Sequence, residues 1–176
     1  MGNAFFKQEI HIRIKIKGRG GNALNIRNSV KAVIFNEGKV LVTKNQDREG
    51  IFYLFPGGGQ EHGETFHETL RRECLEEIGQ HVNIGELLFI REYIGKTHEY
   101  AQDDSKIHQI EYYFTCELKE LNKDQAGIKP DPLQIGTEWI PLKDIMKYRL
   151  YPRAMRQNII DVYSGAKSPI YLGNIN

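Results

Sequence analysis

Ile10, Ile12, Ile14 and Ile16 alternate with His11, Arg13, Lys15 and Lys17. A period of two predicts a strand with one apolar face. Gly18-Arg19-Gly20-Gly21 ends it as a turn, and its spacing is that of neither a phosphate loop nor a dinucleotide fingerprint. Two β-branched runs, 30–35 and 40–43, flank Asn36-Glu37-Gly38, a hairpin signal. Residues 52–55 give a further short strand, stopped by Pro56 and the glycines at 57, 58 and 59. Thr65 and Glu68 fit a capping box and Gly79 fits the position after a last turn, so a helix lies between them. Strands are expected in parts of 82–94, 107–118 and 137–141. A long loop, 122–136, carries Pro130 and Pro132 between the last two, and loops of that length are places to look for function. Pro152 opens a final helix with Met155, Ile159, Val162 and Tyr163 along one side and Gly165 at its end. Strands surrounding helices give a mixed α/β class in a single domain. Residues 28–165 form that domain, 1–27 a basic strand and turn packed on it, and 166–176 a C-terminal tail.

At 176 residues, 40% hydrophobic and 27% charged, the chain can bury one core and is too apolar for wholesale disorder. No apolar run approaches the roughly 20 residues of a membrane helix. The first residues lack the apolar region of a signal peptide, and Phe6 stands where a myristoylation signal needs Ser or Thr. Cys74 and Cys116 form no CxxC pair and no disulfide framework. A soluble, reduced, cytoplasmic protein with no membrane partner is expected. The net charge of +1 disfavours a protein that coats nucleic acid. It is nevertheless uneven: residues 1–31 hold seven basic residues against Glu9, while 57–79 hold six glutamates against Arg71 and Arg72. Residues 141–176 hold six basic residues against Asp144 and Asp161. An acidic segment between basic ones fits a metal site that meets a polyanion; three ordinary solvated faces fit it as well.

The chemistry is concentrated in residues 58–80. At about 100° per residue, Phe66, Leu70, Cys74 and Ile78 make one apolar stripe, and Glu76, Glu73 and Glu77 share an arc of about 100° that abuts it. Three like charges beside a core need neutralising. Carboxylate oxygens suit Mg²⁺ or Mn²⁺, and there is no Cys/His set to suggest zinc. The alternative is an amphipathic helix with a solvated acidic face and an i,i+4 pair between Arg72 and Glu76.

The segment GGQEHGETFHETLRRECLEEIGQ resembles the Nudix box, G-x5-E-x7-R-E-U-x-E-E-x-G-U, with U a bulky aliphatic residue. Gly58, Glu64, Arg72, Glu73, Glu76, Glu77 and Gly79 stand on its fixed positions; Cys74 and Gln80 replace the two aliphatic residues. The flanks 53–58 and Thr137-Glu138-Trp139 also look like those of the family. The resemblance implies a Nudix-like α/β/α sandwich around a mixed sheet. It also implies a Mg²⁺-dependent hydrolase cleaving the diphosphate of a nucleoside diphosphate linked to another moiety, a small-molecule nucleotide. By position, Glu73 and Glu77 would bind the metal with Glu76 assisting, and the carbonyl of Gly58 or Gly59 would add a ligand. Arg72 would hold the glutamates, with Glu64 an outer acid. Mg²⁺ suits such a reaction because it polarises phosphoryl oxygens and neutralises developing charge.

Outside the box the candidates are weaker. Glu111, Asp124, Asp131 and Glu138 could supply a further acid, each also readable as a surface carboxylate. Lys44 and Arg91 could hold a phosphate. Tyr53 could stack on a base or belong to the core. His108 reads more readily as structural, and Trp139 as core. Markers of the ADP-ribose, NADH and diadenosine-polyphosphate subclasses are missing. A sensor without turnover and a hydrolase of RNA 5′ ends are the competing functions, the second supported by Arg13, Lys15 and Lys17. A homodimer stays open. Substrate shape is expected from the loops 95–106 and 122–136.

Overall fold

A computed structural model describes residues 26–120 and 127–176; the expected strand over 10–17, its following turn and Asp124 lie outside the described residues. Strands β1 (Arg27–Asn36) and β2 (Lys39–Asp47) form the expected hairpin. Glu37 and Gly38 have φ of 46° and 72°, the two positive angles of the turn whose twist matches that of its flanking strands. Only Phe35 with Val40 and Asn36 with Lys39 pair before the strands splay. From there β2 pairs with β3 (Gly50–Leu54) on one side and β6 (Gln134–Pro141) on the other. Strand β1 runs parallel to β5 (His108–Leu118), which pairs antiparallel with β4 (Val82–Ile94). Two short strands finish the edges: β7 (Leu150–Tyr151) on β3, and β8 (Tyr171–Asn174) on β4.

The splay leaves one edge of β1 without a strand, and its amides need partners. Residues 56–60 supply them. The Val30 amide donates to the Gly58 carbonyl at 2.8 Å, that of Ala32 to Pro56 at 2.8 Å, and that of Gln60 to Asn28 at 3.1 Å.

Helix α1 (Phe66–Ile78) starts at the expected capping box. The Glu68 amide donates to Thr65 Oγ1, and the Thr65 amide to Glu68 Oε2. Gly79 ends it in the left-handed conformation at φ 65°. Its stripe of Leu70, Cys74 and Ile78 is buried with Val30, Ala32, Ile34, Phe114 and Cys116 on one side of the sheet. On the other side Val33, Phe89 and Tyr113 pack with Met155 and with Ile159 of helix α3 (Arg156–Tyr163). Alternate residues of β1 therefore feed two cores, as the period of two requires, and the architecture is the expected α/β/α sandwich around a mixed sheet. Burying Leu70 alone contributes about 2 kcal/mol.

Three expectations change. Strand β6 begins at Gln134, so the connection before it is shorter than 122–136. Residues 166–176, expected as a tail, add β8 to the sheet. The 95–106 segment is not open coil: it holds a short helix α2 (Ala101–Asp104), and Asp104 is buried with Tyr93 Oη donating to it at 2.6 Å. Trp139 is half-buried against the α1-side core. Among the described residues no helix is long and apolar enough to cross a membrane.

Cys74 and Cys116 are both buried and unpaired, and burial pushes both thiols up, Cys116 to about 12. Thiolate is the reactive form. Both should resist a thiol reagent in the native protein and label at the rate of unfolding when urea is added; fast native labelling of either would contradict this packing.

Candidate active site

Arg27, Ser29 and Lys31 occupy alternate positions of β1 and so share one face. Each meets one residue of the glycine segment laid along that strand. Lys31 Nζ donates to the Gly57 carbonyl, and Ser29 Oγ donates to the Gly58 carbonyl at 3.1 Å. The Arg27 guanidinium packs on Gly59 so closely that a Cβ there would lie 2.1 Å from its Nη2. Gly57 has φ 127°, and a Cβ on it would lie 2.1 Å from the Val30 carbonyl oxygen, so no other residue fits. A Cβ on Gly58 would lie 2.5 Å from Glu73 Oε1. The glycines thus let the segment run between β1 and the acidic side of α1.

Arg72 organises that side. Its Nε and Nη2 donate to the two oxygens of Glu64 at 2.7 and 2.9 Å, and its Nη1 donates to Glu73 Oε1 at 2.7 Å. Nη2 also reaches the Gly59 carbonyl at 3.1 Å, and Glu76 Oε2 lies 3.9 Å from Nη1. Glu64 further accepts from Thr69 Oγ1 and the Glu61 amide. With the Arg72 fork as the main cause, its carboxyl is held down at about 2. Glu77 is buried and accepts the Gly57 amide at 2.8 Å. Burial pushes its carboxyl up to about 8 against the pull of Lys31. Burial also raises Glu73, with Arg72 and Lys31 opposing.

The far end of α1 is held as well. Past the Leu75 carbonyl, which also accepts the Gly79 amide at 3.2 Å, its last carbonyls have no partner within the helix. The Ile128 amide donates to the Leu75 carbonyl at 3.4 Å, the Lys129 amide to that of Glu76 at 2.9 Å, and Gln134 Nε2 to that of Glu77 at 2.6 Å.

A family model described as NUDIX domain matches residues 25–160. The chain belongs to the Nudix family. Among curated relatives of this Nudix hydrolase is a nucleoside triphosphatase NudI of Escherichia coli O139:H28, 32% identical over 120 residues, 61% of this chain and 84% of the relative. Among solved structures, a NUDIX hydrolase from Nitrosomonas europaea superposes with a TM-score of 0.65 at 21% identity, covering 83% of this chain and 94% of that one. An ADP-ribose pyrophosphatase from Streptococcus suis superposes with a TM-score of 0.56 at 16% identity, covering 86% and 100%.

Of the expected residues, the fold brings Glu73, Glu77, Arg72 and Gly58 together, with Glu76 at the margin. Among the described residues no three acidic, His or Cys side chains converge into a ready-made metal cage. The reason is visible: Arg72 holds Glu73, the Gly57 amide holds Glu77, and Glu76 lies 3.9 Å from both Arg72 and Lys129. The Gly58 carbonyl, expected as a ligand, accepts from both the Val30 amide and Ser29 Oγ, which uses its two lone pairs. The donor set still fits a hard divalent cation: adjacent carboxylates, two of them raised by burial.

The weaker candidates divide. Lys44 Nζ pairs with Glu138 at 2.9 Å, and Tyr53 Oη donates to the same carboxylate at 3.1 Å. The Tyr53 ring is otherwise buried, so it belongs to the core and offers no stacking surface. Arg91 and Glu111, expected at a phosphate and as an extra acid, are given to each other. They stand opposite on β4 and β5 with Nε 2.7 Å from Oε2, both buried. Burial pushes Glu111 up, but Arg91, Lys31, Tyr113 and Gln109 together hold it below its ordinary value. Among the described acids outside the box, exposed Asp131 raises Glu77 and, like Glu73, acts on Arg27. His108 lies 3.9 Å from Glu92 at the surface. Arg27 and Lys31 were missed as site residues. The signal was the alternation of Arg27, Ser29 and Lys31 with the apolar or small Val30 and Ala32, a half-buried strand whose polar face needed a destination.

The Glu64–Arg72 fork predicts a pH-dependent contribution to stability. A carboxyl held below its unfolded value stabilises the fold above that value and loses its effect as the pH falls through the folded one. Glu64→Gln should therefore cost about 2 kcal/mol of unfolding free energy at pH 7. The difference from wild type should shrink steadily from about pH 4.5 toward pH 2. Urea melts across that range check it.

Proposed function

We propose that this Nudix hydrolase is a divalent-metal-dependent pyrophosphohydrolase acting on a nucleoside diphosphate linked to a further group, nucleoside triphosphates foremost. The observation that carries it is the arrangement of Glu73 and Glu77 around the 57–59 segment, with Arg27 and Lys31 facing them from β1. Carboxylates alone would repel a polyphosphate; carboxylates facing two cations across a glycine backbone suit a metal and an anion together. Glu73 and Glu77, with Glu76 turning in, would hold Mg²⁺ or Mn²⁺. Bound there, the metal would polarise a phosphoryl oxygen and make a water acidic enough to act as nucleophile.

The chain's own residues supply the rest. Arg72 fixes the Glu73 carboxylate, and Glu64 fixes Arg72, so the oxygens are oriented before any ligand arrives. The Gly57 amide fixes Glu77. Burial raises the proton affinity of Glu77 to about 8, so a cation binding there would displace a proton from that carboxyl. Lys44, paired with Glu138, would meet a more distant part of the substrate. The nucleoside triphosphatase named above supports a triphosphate as the first substrate to test.

A panel of nucleoside triphosphates and nucleotide sugars should give a nucleoside monophosphate and the complementary phosphate product. Turnover should disappear with excess chelator and return with Mg²⁺ or Mn²⁺; full turnover in excess EDTA would sink the metal. Glu77→Gln should lower kcat by about 10²-fold or more while the protein still melts cooperatively. Wild-type turnover in that variant would move the chemistry elsewhere.

A further inference from the structure

Lys31 is placed differently from Arg72 and Arg91. Arg72 is committed to Glu64 and Glu73 by direct hydrogen bonds, and Arg91 to Glu111 by a buried ion pair. Lys31 donates to a backbone carbonyl, that of Gly57, whose own amide donates to Glu77. Its ammonium therefore reaches the buried Glu77 carboxylate through the Gly57 peptide. Its charge is felt by Glu73, Glu77 and Glu111, with Arg27 on the same strand face. Lysine is suited to such a place: it is a compact point charge on a flexible stem that can exchange one set of oxygens for another.

We propose that Lys31 couples metal and nucleotide binding, its ammonium competing with the divalent cation for the field of Glu73 and Glu77 and pairing with phosphate oxygens when the nucleotide is bound. The inference rests on the metal site proposed above and goes beyond it. A cation beside two carboxylates opposes the arrival of a second cation. The same cation favours a polyphosphate. The site thus binds metal weakly by itself and more tightly with phosphate present. By linkage, phosphate binds more tightly with metal present. A residue that only braced the 57–59 segment would act differently: its loss would loosen the carboxylates and weaken both ligands together.

The signs separate the two roles. Free Mn²⁺ can be followed by its electron paramagnetic resonance signal during titration of the full chain without nucleotide, and inorganic pyrophosphate binding by calorimetry in saturating Mg²⁺. Lys31→Met should bind Mn²⁺ about tenfold more tightly and pyrophosphate about tenfold more weakly than wild type. Lys31→Arg, which keeps the charge, should stay within about twofold of wild type for Mn²⁺. Unchanged or weaker Mn²⁺ binding in Lys31→Met, tighter binding in Lys31→Arg, or unchanged pyrophosphate affinity overturns the coupling. Glu77→Gln distinguishes this from failure of the metal site itself. If that variant binds Mn²⁺ as wild type does, or wild type binds none at millimolar concentration, the site and the coupling fall together. Should Lys31→Met not melt cooperatively, Lys31→Gln takes its place with the same expected signs.

Discussion

The site depends on the pairing of residues 56–60 with the edge that β1 exposes when its hairpin splays. Two backbone bonds accepted by Pro56 and Gly58, and one donated by Gln60, turn an irregular glycine segment into the equivalent of a strand. That pairing fixes how far the segment stands from α1. It leaves room for the Glu73 carboxylate only because residue 58 lacks a Cβ. Without it the carboxylates of one helix would face solvent, as the solvated-face alternative supposed, and the cations of β1 would face nothing. The hairpin opening, the glycines and the acidic helix are one arrangement because each satisfies polar groups the others leave unpaired.

Within it, charge is distributed by commitment. Arg72 is spread over Glu64, Glu73 and the Gly59 carbonyl, which makes it a scaffold and leaves it little capacity for a ligand. Arg91 and Glu111 are withdrawn from solvent into β4 and β5. What stays adaptable is small: Glu76 at the edge, Glu77 held by one amide, and Lys31 held by one carbonyl. The proposed binding of a metal and a polyphosphate in concert would draw on such groups, and the committed ones keep them in place.

Much of this was legible in the sequence wherever the determining contacts are local. The hairpin turn was carried by Asn36-Glu37-Gly38, the helix start by Thr65 and Glu68, and its end by Gly79. Each acts within four residues of itself. The box glutamates were legible because helical geometry places Glu73, Glu76 and Glu77 on one arc. What could not be read depends on register between distant strands. Arg91 meets Glu111 only because β4 pairs with β5 in one particular alignment. Residues 171–174 become a strand only because β4 offers a free edge. Lys31 and Arg27 read as basic residues near the start of the chain until the glycine segment is laid beside them.

The brace at the end of α1 has a consequence for order. The last turn of a helix ordinarily frays because its carbonyls lack partners. Here Ile128, Lys129 and Gln134 occupy the carbonyls of Leu75, Glu76 and Glu77. The backbone carbonyls of two of the three box glutamates are thereby satisfied from outside the helix, and what is left to adjust is their side chains. Gathering those oxygens around a cation then costs only side-chain entropy, with the main chain already fixed when the protein folded. A segment well beyond the box in the sequence would thus lower the entropy that ligand binding has to overcome.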